Sequence, residues 1–366
     1  MFLKRWSEFQ LKHPRWLLFL SALLIAAYMV NDGNIMQNLL PQATEHPSYE
    51  ITKVTYSCTY LTVGGILGLI TYLLLSQTPL GKIVDTDYKK GNISSISKQA
   101  QAYAATSGVI SAFATLIVLW GNSEYDPSAV TVLTTATVIF VLPIESLFRG
   151  LDYKQIMWPV ILAGIGAVVV MLPGAELKTL QAGGIILAII TLLLIKNLLS
   201  GFEEVISGDG ATLSDATSFS FWRFFWLAFA GAIISVGVVV ITGQYEEYKF
   251  AVKSMVTNIP YWVVLTMIFV FMGMGWKQVA KKPKFKLSIT EVVMISSFSG
   301  FVSAVYTAVV NWVWPETFPE APLSLGHWIV RFIGIGILVL GMYWATKIKQ
   351  QRKENEQESE RENKNV

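Results

Sequence analysis

Apolar runs long enough to cross a bilayer recur along almost the whole chain, and nothing else limits its possible folds as much. The hydrocarbon core needs about 17–25 residues of helix. Ten runs reach that length, at residues 16–38, 54–76, 101–121, 128–148, 155–173, 180–200, 220–242, 257–276, 288–312 and 324–346. Only 14% of the residues are charged and 53% are hydrophobic, against about 25% charged in soluble domains. No soluble surface can be built from so few charges. In lipid every backbone polar group needs a partner within the protein, and a helix supplies its own. The expectation is an all-α membrane protein with ten transmembrane helices.

The distribution of Lys and Arg orients the spans. With the amino terminus inside, all but six of the 28 basic residues fall in the amino-terminal tail, the even loops and the carboxyl-terminal tail. The exceptions are Lys53, Lys178, Lys249 and Lys253 on the other side, and Lys196 and Arg331 within apolar runs. Such a bias predicts a multi-pass protein of the bacterial inner membrane with both termini cytoplasmic. The outer loops read as short and acidic, for example Glu124-Tyr125-Asp126. The run after Arg15 resembles a signal peptide, but no cleavage site is evident near Tyr28–Asp32, so it is read as the first span.

A short pattern occurs twice. Met157-Trp158 is followed, after five residues, by Gly164-Ile165-Gly166, and His327-Trp328 by Gly334-Ile335-Gly336. Each copy closes a set of five apolar runs. Five is odd, so the second set enters the membrane from the opposite side, which predicts two inverted five-helix repeats, 1–173 and 174–346. Residues 347–366 read as a charged cytoplasmic tail, a frayed helix end followed by disorder. Residues 77–100 and the acidic, Gly/Ser-rich 201–219 read as longer cytoplasmic loops.

Ionisable and strongly polar groups within spans are costly and are functional candidates by default. Asn31, Asp32 and Asn34 flank Gly33. Either helix 1 stops at Val30 and they form an outer loop, or it continues to Leu40 and they lie within the membrane, with Gly33 loosening the backbone. Lys196 and Asn197 stand in helix 6, the counterpart of helix 1. Lys196 is read first as snorkelling to the headgroups, and alternatively as facing Asp32 across a central site. Arg331 in helix 10 has three readings: a site for an anionic group, a pair with an acid, or a reach to the outer interface. Glu145 reads as an i,i+4 pair with Arg149. Tyr306 and Phe298 lie deep in helix 9, Tyr306 as a pathway candidate and both more simply as packing. The runs Ala102–Ser111 and Ser296–Ser303 are rich in small residues, which permit close crossing.

No Walker loop, His-Glu-x-x-His, Gly-x-Ser-x-Gly or Cys/His metal spacing occurs. Cys58 is the one cysteine and there are three histidines. The chain is therefore not expected to be an enzyme or to carry a cofactor or metal. The expected partners are the lipid bilayer and a small-molecule substrate, with H+ as one option, and no nucleic acid. Alternatives are an uncoupled facilitator, or a membrane-embedded enzyme or flippase acting on lipid-linked substrates.

Asp126-Pro127-Ser128 through Leu133-Thr134-Thr135, Pro143 and Glu145, followed by Trp158 to Gly166, resembles the EamA-type repeat of the drug/metabolite transporter (DMT) superfamily. Ser214-Asp215-Ala216 and Phe221-Trp222-Arg223-Phe224-Phe225 are similar to the start of its second repeat. The first half departs from the pattern: helix 2 has no matching Arg, and the 77–100 loop is long. The resemblance implies ten helices in inverted five-helix repeats around a central cavity, and secondary transport of small polar metabolites, proton-coupled in some members. It assigns no substrate residue here.

Overall fold

The computed structural model describes residues 2–149, 157–170, 172, 182–315, 317–318 and 324–364, which are mostly helical with no strand among them. In chain order the helices are α1 (Phe2–Lys12), α2 (Pro14–Ala43), α3 (Lys53–Ser76), the short α4 (Leu80–Val84), α5 (Lys98–Glu124), α6 (Pro127–Thr135), α7 (Val138–Arg149) and α8 (Met157–Val169). Then follow α9 (Ile186–Gly210), α10 (Ala216–Thr242), α11 (Tyr245–Asn258), α12 (Pro260–Ala280), α13 (Ile289–Ser296), α14 (Ser299–Val313) and α15 (Leu325–Lys364). Among the described residues nine helical segments are long and apolar enough to cross a membrane, with α8 a shorter apolar helix. Large apolar side chains such as Phe229, Ile233, Val240 and Ile241 on α10 point away from the protein, as lipid-facing surface does.

Local sequence sets the helix starts. Thr52, Ser97, Asp126 and Asp215 each accept a backbone N–H of the turn that follows, and Ser288 forms a capping box with Glu291. Pro14, Pro127 and Pro260 occupy the first turn, where a missing N–H costs nothing. Gly243 ends α10 at φ 74°, a conformation that glycine adopts without steric penalty.

Two expected single spans are broken near their middle. The span expected at 128–148 divides into α6 and α7 at Ala136–Thr137, and that at 288–312 into α13 and α14 at Ser297–Phe298. Two other helices carry π-helical stretches, Ile35–Leu39 in α2 and Ile189–Lys196 in α9. Each such stretch replaces the i→i−4 ladder locally and is a common companion of functional sites.

The repeated Gly-Ile-Gly segments pack against each other. A Cβ on Gly166 would lie 2.3 Å from the Leu338 nitrogen and 2.7 Å from the Gly334 oxygen; one on Gly334 would lie 2.8 Å from the Val170 nitrogen. The α8 and α15 backbones therefore touch through these glycines. Gly341 extends the seam towards Ala163 and Pro159.

Several expectations need correction. The 77–100 segment contains α4 and a 3-10 turn at Asn92–Ser95. Asp85, fully buried, accepts the Ala216 N–H (2.6 Å) and a bond from the Lys282 ammonium (2.5 Å), so this segment clamps the start of α10 to the residues after α12. The acidic 201–219 stretch is helical as far as Gly210, because Gly201, Gly208 and Gly210 fit against Ile144, Ile289 and Phe219. The carboxyl-terminal tail continues α15 to Lys364. Two amphipathic helices join the spans: α1, whose Trp6 and Gln10 donate to the Ile83 oxygen, and α11, with Ala251 and Met255 buried. Lys154, Lys178 and the expected 173/174 boundary lie outside the described residues.

Candidate functional site

A cavity of about 240 Å³ opens among α2, α3, α5, α6, α9, α10, α12 and the α13–α14 break. Most of its wall is apolar or aromatic, including Tyr28, Tyr72, Phe224 and Met267. Its charged lining consists of Asp32, Lys196, Glu203, Glu204, Arg223 and Lys277.

Asp32 lies within α2, which is helical from Pro14 to Ala43, so the polar cluster is part of a helix long and apolar enough to cross a membrane and not a loop. Its carboxylate is 8% exposed and accepts a hydrogen bond from the Tyr60 hydroxyl. Asn31 ties α2 to α12 by donating to the Thr266 hydroxyl (2.6 Å) and the Trp262 oxygen (3.2 Å). Gly33 does not loosen the helix. It allows close approach, since a Cβ there would lie 2.2 Å from Pro127 Cγ. The looser backbone is the π-helical turn just after it. Asn34 accepts from Asn38 (3.0 Å) and does not line the cavity.

Lys196 does not snorkel. Its ammonium donates to the Thr134 oxygen (2.5 Å) and it lines the cavity. The cause is the break in the helix ahead. The last turn of α6 leaves carbonyls without intrahelical donors, and the helix dipole makes that end attractive to a cation. Asn197, fully buried, donates to the Leu133 oxygen (2.6 Å), and Ser297 donates to the Thr135 oxygen (2.6 Å). Three consecutive carbonyls at the break are thus satisfied by side chains from α9 and from the second break.

Towards the face that carries α1, the cavity meets a buried ion layer. Glu203 pairs with Arg223 (3.3 Å) and accepts from Ser107 (2.8 Å). Glu204 lies between Lys277 and Lys281, the latter at 2.7 Å. Arg223 also donates to Ser111 (3.0 Å). Sequence reasoning assigned these groups to loops or helix ends. The available signal was an acidic pair in helical register with Asn197, and it was outweighed by the neighbouring glycines.

The other candidates lie elsewhere. Arg331 is 1% exposed and neither reaches the outer interface nor lines the cavity. It pairs with Asp126 (2.7 Å) and donates to Ser128, while Asp126 also caps α6. Tyr306 packs with Val30 and Phe318, and Phe298 stacks on Phe301. Glu145 is fully buried and accepts from Thr290 (2.6 Å). The Arg149 side chain lies outside the described residues.

No family model matches the chain, and no curated protein matches it. Among solved structures, one described as "Crystal structure of protein" aligns over 90% of this chain and 98% of its own, at 12% identity and a TM-score of 0.45. A likeness of that size carries no argument about fold or function.

Proposed function

We propose that this chain is a secondary active transporter that moves a small polar metabolite, as exporter or importer, by alternating access through the central cavity. The proposal includes ten spans, with α8 as the fifth, in two inverted five-helix repeats of the EamA type. It also includes a bacterial inner-membrane location with both termini cytoplasmic. The observation that carries it is a cavity with charged groups among the long apolar helices, bordered by two helix breaks. Transporters of inverted-repeat design place substrate sites at such breaks, near the repeat interface.

Helix pairing supports the repeat. Exchanging the halves turns the α2–α12 contact into α9–α5, and both occur. The contacts α3–α10 and α8–α15 map onto themselves and α6–α14 maps onto α13–α7, and all four occur. The π-helical stretches fall in the first helix of each half, and the breaks in the fourth.

In the mechanism, the Arg331–Asp126 pair closes one end and the Glu203–Glu204 layer the other, and transport alternates their opening. Asp32 is the coupling group. A carboxylate whose partner is a tyrosine hydroxyl can take a proton when the cavity faces one side and release it to the other. Asp32→Asn should abolish uphill accumulation in proteoliposomes with an imposed proton gradient while leaving counterflow. Unchanged accumulation in that variant would rule out the coupling role and favour a facilitator.

A further inference from the structure

The charges around the cavity balance in number but not in pairing. Its wall carries Lys196, Arg223 and Lys277 and the carboxylates Asp32, Glu203 and Glu204, and Lys281 stands behind Glu204. Arg223 and Glu203 form one pair, and Lys277 and Lys281 share Glu204. Among the described residues Lys196 has no carboxylate partner in contact, only the Thr134 oxygen and the Asn197 side-chain oxygen (3.5 Å). The remaining acid on the wall, Asp32, accepts from Tyr60. A buried cation without an anion in contact is costly, and here that cation lines a cavity.

A second observation lies across the α6 break. Ser296 and Ser299 are 4% and 0% exposed, line the cavity, and have hydroxyls without a hydrogen-bond partner among the described residues. Buried hydroxyls normally find partners. Ser299 is also the first residue of α14. Thr134 and Thr135 hold both sides together, since one accepts from Lys196 and the next from Ser297.

We infer that Lys196 and the Ser296 and Ser299 hydroxyls form a subsite for the anionic group of the solute, a carboxylate or a phosphate monoester. The inference rests on the transport reading for its biological sense but not for its test. An anion there accepts from both hydroxyls and compensates the Lys196 charge. Asp32 remains free for coupling.

The test is thermal unfolding of the full chain in detergent at fixed ionic strength, with millimolar inorganic phosphate, succinate or choline chloride. A bound ligand raises the unfolding midpoint. Phosphate or succinate should raise it and choline should not, and which of the two anions acts identifies the group. Lys196→Gln should weaken the anion about ten- to hundredfold, the usual size of a lost charged hydrogen bond, and Lys196→Arg should retain binding. Should Lys196→Gln not fold, the Ser296→Ala/Ser299→Ala double variant should weaken the anion instead. No shift with either anion, an equal shift in Lys196→Gln, or a shift with choline would overturn the subsite. Counterflow of the bound anion in proteoliposomes separates the two readings. Lys196-dependent binding without counterflow sinks transport and keeps the subsite. Counterflow of other solutes without any anion shift does the reverse.

Discussion

Two of the buried ion-pair sites of this bundle are built on different rules. Away from α1, Arg331 and Asp126 form one pair, 1% and 3% exposed, and Asp126 also accepts the Ser128 and Ala129 N–H groups. Charges balance, and the carboxylate has several donors besides the guanidinium. Towards α1, three cations, Arg223, Lys277 and Lys281, share Glu203 and Glu204 beside a cavity whose wall also holds Lys196. A balanced, dry pair holds helices together and has no need of a ligand. An unbalanced layer beside a cavity is less stable alone and leaves something for a ligand to complete. The difference separates a residue that fixes the fold from residues available to a site.

The largest expected effect breaks the balanced pair. Asp126→Ala leaves Arg331 buried with Ser128 as its remaining polar contact and removes the α6 cap. Breaking a buried pair from one side costs about 3–5 kcal/mol, and losing a cap adds about 1 kcal/mol. Lys277→Met should cost far less, about 1 kcal/mol, because Glu204 keeps Lys281 at 2.7 Å. Unfolding midpoints in detergent measure both. Equal losses would show that the two sites follow one rule after all.

A packing control sharpens the comparison, since a contrast in charge means little if the helices are loosely joined. Gly166→Ala places a methyl 2.3 Å from the Leu338 nitrogen, and backbone cannot move aside without parting α8 from α15. The expected loss is about 1–3 kcal/mol. Gly164→Ala meets nothing within 4 Å and should be neutral or slightly stabilising, as alanine is the better helix former. Equal midpoints for the two variants would show that the seam is not close-packed.

These contrasts also show what a sequence reader can see. The helical class was legible because lipid imposes a run length and a charge bias on each span, and those are local quantities. The Gly-Ile-Gly copies were legible as a pattern, but not that Gly166 and Gly334 touch while Gly164 and Gly336 meet nothing. Asp32, Lys196 and Arg331 stood out as charges in apolar runs. Their separate fates depended on partners 28, 62 and 205 residues away. Glu203 and Glu204 were hidden for a different reason. Glycine normally signals a loop, but Gly201 and Gly208 are positions where α9 meets Ile144 and Ile289. Lys277 sat in a basic stretch that served as an orientation signal, which masked its role in the ion layer.

The smallest expected effect tests a third cluster, outside the spans, that follows the balanced rule in a wetter setting. Lys282 bonds Asp85 (2.5 Å) and Asp87 (3.0 Å), and Lys284 bonds Asp87. Burial raises the Asp87 carboxyl, but the Lys284 and Lys282 ammonium groups outweigh it and hold the pKa below the usual carboxylate range. Burial lowers the Lys282 ammonium, and Asp85 and Asp87 outweigh that, so its pKa is raised. A lowered carboxyl stabilises above its unfolded pKa of about 3.9, and that contribution is lost as pH falls through the folded value. A raised ammonium stabilises fully below about 10.4 and loses its contribution as pH rises through the folded value. The clamp on the start of α10 should therefore hold between those limits and loosen beyond either. Hydrogen exchange at the Ala216 amide, which donates to Asp85 (2.6 Å), reads this directly once rates are corrected for intrinsic pH dependence. Protection in Lys282→Met should fall within the plateau. Unaltered protection there would mean that Asp85 holds α10 without its cation, and that balance matters only where water is excluded.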